Sequence, residues 1–135
     1  MAEETRVLFV CLHGAAKSVI ASEYLRRMAE ERGLRIESAS AGVEPDDAIP
    51  PRVVAGLASE GFDVEGREPR MLRQELLADA DVVVSFGCDV VLPDDNGRAR
   101  RLMRWDDVPA VSEGYETARD AILRRLDTLV RQIEG

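Results

Sequence analysis

Val7-Leu8-Phe9-Val10-Cys11-Leu12-His13-Gly14-Ala15-Ala16-Lys17-Ser18 is the stretch on which the reading of this chain turns. An apolar run with β-branched residues ends in a cysteine, a short loop of small residues follows, and a Lys-Ser pair opens an amphipathic segment. The chain's only histidine and only lysine both fall here, beside one of its two cysteines. Every other basic residue is arginine, so a lysine at this position points to a specific task. A strand, a small-residue loop and a helix start in succession are the ingredients of an anion-binding turn.

Working outward, Arg6 to Val10 reads as a buried strand and Ser18 to Arg32 as a helix stopped at Gly33. Ile20, Tyr24, Leu25 and Met28 share one face of that helix, with Arg26, Arg27, Glu30 and Glu31 opposite. Leu34 to Ser38 is a second short strand, Ser40-Ala41-Gly42 a turn, and the stretch with Pro45, Asp46, Asp47, Pro50 and Pro51 a loop. Pro51 suits the first turn of a helix that runs to Glu60 and stops at Gly61. Met71 to Ala78 reads as another short helix, and Asp81 to Phe86 as the clearest buried strand of the second half. Leu92 to Gly97 is a turn-rich loop and Arg101 to Trp105 the last strand. Tyr115 to Ile133 is a long amphipathic helix with Ile122, Leu126, Leu129 and Ile133 inward.

Strands alternating with helices call for an α/β fold: a four-stranded parallel sheet covered on both faces, a three-layer sandwich spanning residues 1–135 as a single domain. In such folds ligands bind beyond the carboxyl ends of the strands. Cys11 to Lys17 occupies that position. Cys88 and the Asp106-Asp107 pair follow later strands and are expected at the same edge.

With 45% hydrophobic and 33% charged residues, the composition is that of a soluble globular chain. No apolar run reaches the length of a membrane span, and the start Met1-Ala2-Glu3-Glu4 lacks a signal-peptide core, so a cytoplasmic protein is expected. Two cysteines far apart do not form a secreted disulfide scaffold. The net charge of -8 argues against nucleic acid or an anionic membrane as partner. An anion site must then be local, built from backbone N–H groups and one or two fixed cations. A monomer is expected.

Gly14, Ala15 and Ala16 let the loop curl so that consecutive N–H groups point inward, and the helix start at Ser18 completes an anion cradle. Leu12 and His13 belong to the same backbone arc. The field of the cradle also favours a thiolate at Cys11, itself an anion. An activated thiolate facing a bound oxyanion suggests in-line attack on phosphorus or arsenic, with a covalent cysteinyl intermediate. Lys17 adds positive charge for the peripheral oxygens, and the Ser18 hydroxyl is placed to bond the thiolate or cap the helix. His13 suits either a hydrogen-bonding role or a general base.

This segment resembles the signature of low-molecular-weight protein tyrosine phosphatases and of their relatives, the thiol-coupled arsenate reductases. Their loop has a nucleophilic Cys, five residues and Arg-Ser; here Cys11 is followed by five residues and Lys17-Ser18. The resemblance extends to the strand before Cys11, the Ser40-Ala41-Gly42 turn, the Asp81 to Phe86 strand and an acidic Pro-containing loop before the last helix. It implies that an aspartate of Asp106-Asp107-Val108-Pro109 is the general acid, with Asp107 favoured over Asp106. It also implies that Cys88, after Gly87, is either a redox cysteine or a structural thiol. The departures are specific. Lysine replaces a planar arginine fork, a change that can lower a rate by roughly 10²–10³ through poorer oxyanion placement. Gly14 stands where the family usually has Asn, and Val108 splits the usual Asp-Pro pair.

The resemblance implies a phosphatase-like fold and, first, hydrolysis of a phosphomonoester of the phosphotyrosine type, with no metal or organic cofactor. The second expectation is arsenate reduction, drawing its second thiol from Cys88, thioredoxin or a small thiol. The third is an oxyanion-binding protein without turnover.

Overall fold

β1 (Thr5–Cys11) runs through the middle of the sheet because both of its faces are apolar: Val7, Phe9 and Cys11 alternate with Leu8 and Val10, all buried. The computed structural model describes residues 4–93 and 101–134. Beside β1 lie β2 (Ile36–Gly42) on one side and β3 (Val82–Ser85) on the other, with β4 (Arg101–Arg104) outermost. The strand order is β2-β1-β3-β4 and every pairing is parallel. The Arg-flanked β4 forms an edge that is charged rather than apolar.

One face of the sheet, carrying Val7, Phe9, Cys11, Val82 and Val84, packs against α1 (Lys17–Arg32), α2 (Pro51–Ser59) and α4 (Tyr115–Glu134). Ile20 and Leu25 of α1, Val53 and Leu57 of α2, and Ile122, Leu126 and Leu129 of α4 are fully buried there. The other face, with Leu8, Val10 and Val83, packs against Leu77 of α3 (Gln74–Asp79) and against Ala80 and Val90. Phe9, Phe86 and Trp105 form an aromatic cluster under the carboxyl edge, with Phe86 edge-on to Trp105 at 5.6 Å between centroids. The expected four-stranded parallel sheet between helical layers is thus present.

Two local expectations differ from the structure. Ser40-Ala41-Gly42 is not a turn but the end of β2, in register with Phe9, Val10 and Cys11. Small residues there serve close approach rather than chain reversal. A Cβ on Gly14 would lie 2.6 Å from the Gly42 nitrogen, so the Cys11 loop and β2 touch backbone to backbone. The helix expected from Met71 begins at Gln74, because the residues before it extend the sheet edge. Gly42 N–H donates to the Arg70 carbonyl at 2.8 Å and Leu72 N–H to the Gly42 carbonyl at 2.9 Å. Other element ends agree within a few residues. The expected Leu92 to Gly97 loop falls in part on residues 94–97, outside the described residues.

Candidate active site

The C-terminal end of β1 delivers Cys11 to the floor of a cavity of about 670 Å³. The thiol is 8% exposed, and its Sγ lies 3.0 Å from Ser18 Oγ on the first turn of α1. Residues 12–16 then bend from strand to helix, with Gly14 in the left-handed region (φ 60°). α1 starts without a side-chain cap and without an acidic residue in its first turn. Its leading N–H groups and the positive end of its dipole are therefore left to whatever anion enters.

The cavity has two flanks. On one, the loop after β2 continues alongside the Cys11 loop beyond the end of the ladder. Val43, Glu44 and Asp46 N–H groups donate to the carbonyls of Cys11, Leu12 and His13 at 3.3, 2.7 and 3.1 Å. His13 Nδ1 lies 3.1 Å from the Glu44 carbonyl and 3.3 Å from Asp46 Oδ1. On the other flank runs the segment after β4, which includes a single 3-10 turn at Val111–Glu113. Lys17 Nζ donates to the Val108 carbonyl at 2.8 Å, and Arg52, on the first turn of α2, donates to the Val111 carbonyl at 3.4 Å. Both cations line the cavity with Cys11. Leu12, Pro50, Pro51, Phe86 and Val111 supply apolar wall.

The two aspartates expected as acid are not brought to this cavity. Asp106 is held by the Gly87 N–H at 3.1 Å and by Arg104 Nε at 3.2 Å. Asp107 pairs with Arg125 of α4, and the guanidinium holds its carboxyl below the usual carboxylate range. It borders a second cavity, of about 580 Å³, together with Arg124 and Trp105. The physical reason is Val108. Its side chain is 4% exposed, and that burial turns Asp107 outward while presenting a carbonyl, not a carboxylate, to Lys17.

Cys88 is likewise not at the cavity. It packs on the opposite face of the sheet, against the cluster of Leu8, Val10 and Val90, with Sγ 3.5 Å from Ser85 Oγ and 3.7 Å from the Val10 carbonyl. Both cysteines are free thiols. Among the described residues no group of histidine, cysteine and acidic side chains is arranged to hold a metal ion. No helix among them is long and apolar enough to cross a membrane.

Asp46 and Arg52 were not singled out as site residues in the sequence. The signal for Asp46 was available in principle: parallel pairing of Cys11 with Gly42 carries the residues after Gly42 alongside those after Cys11. Arg52 had none, since its position depends on how α2 is packed.

Similarity to known proteins agrees with this architecture. A putative arsenate reductase of Halobacterium salinarum is 32% identical over 89 residues, covering 64% of this chain and 63% of that protein. The thioredoxin-dependent arsenate reductase Cg_ArsC1' of Corynebacterium glutamicum is 27% identical with a TM-score of 0.76, covering 98% of this chain and 63% of that one. The chain thus spans less than two thirds of the length of either relative. A mutant of YwlE from Bacillus subtilis shares the fold with a TM-score of 0.83 at 21% identity, covering 98% of this chain and 100% of that one. Residues 6–134 match the model of the low molecular weight phosphotyrosine protein phosphatase family, and the chain belongs to that family.

Proposed function

We propose that the chain is a cysteine-dependent phosphomonoester hydrolase. The observation that carries this reading is the buried Cys11 thiol, hydrogen-bonded by Ser18 at the base of a cavity onto which an uncapped helix opens. Cys11 attacks phosphorus in line with the ester oxygen. The Ser18 hydroxyl stabilises the thiolate before attack and as it leaves the cysteinyl-phosphate. Loop amides and Lys17 bind the peripheral oxygens, where their charge is preorganised for the transition state. Lys17 keeps donors to spare, because an ammonium has three and the Val108 carbonyl takes one. The apolar wall suits an aryl ester such as phosphotyrosine.

The test is turnover of p-nitrophenyl phosphate by the parent protein, by Cys11→Ser and by Lys17→Arg. We expect turnover that falls to background with Cys11→Ser, and a rate with Lys17→Arg that reports what the fork geometry is worth. Absence of turnover in both the parent and Lys17→Arg proteins would sink the reading.

Arsenate reduction is the second reading, supported by the arsenate reductases among the relatives. Cys88 lies across the sheet from Cys11, so an external thiol, from thioredoxin or a small thiol, would resolve a cysteinyl-arsenic adduct. Arsenate-dependent oxidation of thioredoxin that persists in Cys88→Ser and vanishes in Cys11→Ser is the outcome this reading requires.

A further inference from the structure

A phosphatase without a carboxylate from the segment after β4 still needs a proton for a poor leaving group. Asp106 is tied to Gly87 and Arg104, and Asp107 faces Arg125. The charged and titratable groups lining the Cys11 cavity are Cys11 itself, Lys17, Arg52, His13 and Asp46. Lys17 and Arg52 donate to the carbonyls of Val108 and Val111 and serve the oxyanion as donors. That leaves the imidazole and its carboxylate.

Their geometry has the form of an oriented histidine. Both oxygens near Nδ1, the Glu44 carbonyl and Asp46 Oδ1, are acceptors, so Nδ1 carries the hydrogen and Nε2 is the nitrogen left to exchange a proton. The arrangement is also held by backbone, since the Asp46 N–H donates to the His13 carbonyl at 3.1 Å. Both side chains are about half exposed, at 53% and 47%, and both line the cavity that Cys11 lines. A carboxylate behind Nδ1 fixes the tautomer and the orientation of the ring, as in other histidine–aspartate pairs.

We propose that His13 is the proton donor and acceptor of the phosphatase reaction and that Asp46 is its positioning residue; the assignment rests on the phosphatase reading above. In the first step the Cys11 thiolate forms the S–P bond while the P–O ester bond breaks. The leaving oxygen keeps the bond's electron pair and takes the proton from Nε2 of the imidazolium. In the second step water attacks phosphorus and passes its proton to Nε2. The S–P electron pair returns to Cys11, and phosphate departs.

The experiment compares phenyl phosphate, whose leaving oxygen is basic, with p-nitrophenyl phosphate, whose leaving group departs without a proton. Parent, His13→Gln and Asp46→Asn proteins are assayed across pH, with inhibition by inorganic phosphate measured alongside. We expect His13→Gln to lower kcat/KM for phenyl phosphate by roughly 10²-fold and that for p-nitrophenyl phosphate only several-fold. The limb of the phenyl phosphate profile that reports the proton donor should disappear in His13→Gln and shift in Asp46→Asn, with phosphate inhibition retained. Equal losses on both esters, or lost phosphate inhibition, would mean that the pair merely shapes the loop and would overturn the assignment. No loss on either ester would overturn it as well, leaving the phosphatase reading standing. A parent protein without Cys11-dependent turnover of either ester removes that reading and this assignment together.

Discussion

The two flanks of the Cys11 cavity are built on different principles. Residues 11–14 and 42–46 meet backbone to backbone, through three N–H to carbonyl bonds and the contact of Gly14 with Gly42. Beyond Trp105, whose N–H donates to the Ser85 carbonyl, the segment at 106–113 is held by side chains: Lys17 on Val108, Arg52 on Val111, and on its far side Arg125 on Asp107. The first flank is a continuation of the sheet, so strand register dictates it and substitution at close contacts is punished. The second depends on long, flexible cations and on two buried valines, Val108 and Val111.

Gly14→Ala should have the largest effect, because it attacks the rigid flank. It places a Cβ 2.6 Å from the Gly42 nitrogen at a φ of 60°, costing about 2 kcal/mol or more. A calorimetric Tm lower by roughly 5 °C or more is expected, together with a drop in turnover of roughly 10²-fold as the cradle shifts. A Tm within error of the parent would break the claim that this contact is rigid.

Lys17→Ala comes next. It removes both an oxyanion donor and the tether to Val108, so kcat/KM should fall by roughly 10²-fold. Stability should change far less than in Gly14→Ala. Limited proteolysis of the 105–113 segment, faster in Lys17→Ala than in the parent, would show the tether directly.

Asp107→Asn should have the smallest effect. Activity within about twofold of the parent is expected, against the loss of roughly 10²-fold that removing a general acid causes. Because Arg125 lowers the folded-state pKa of Asp107, the pair stabilises the protein at pH above the ordinary carboxylate range. That contribution is lost as pH falls through the lowered pKa. The small Tm difference between parent and Asp107→Asn should therefore be present at neutral pH and vanish in strong acid. A large activity loss in Asp107→Asn would mean that the segment swings Asp107 into the cavity during turnover, and would place the acid back on the flexible flank.

Local pattern carried much of this protein. The apolar alternation of Val7 to Cys11, the Val82 to Ser85 run, the glycine stop at Gly33 and the Pro51 start all depend on interactions within one element or its caps. So does the juxtaposition of Cys11 with Ser18, seven residues apart across one bend. What sequence could not place involved partners distant along the chain. Ser40-Ala41-Gly42 has the composition of a turn and became strand because Phe9 to Cys11 lies beside it. Cys88 and Cys11 both follow strands, yet they pack on opposite faces of the sheet. Asp107 stands where an acid would be read, but burial of Val108 and the pull of Arg125, eighteen positions away, turn it outward. His13 stood out in the sequence as the lone histidine, but its pairing with Asp46 arises only because parallel register lays one loop along the other. Covalent spacing and periodicity determine elements and near neighbours; which side chains share a cavity follows from packing free energy summed over the whole fold, and only the tertiary structure expresses it.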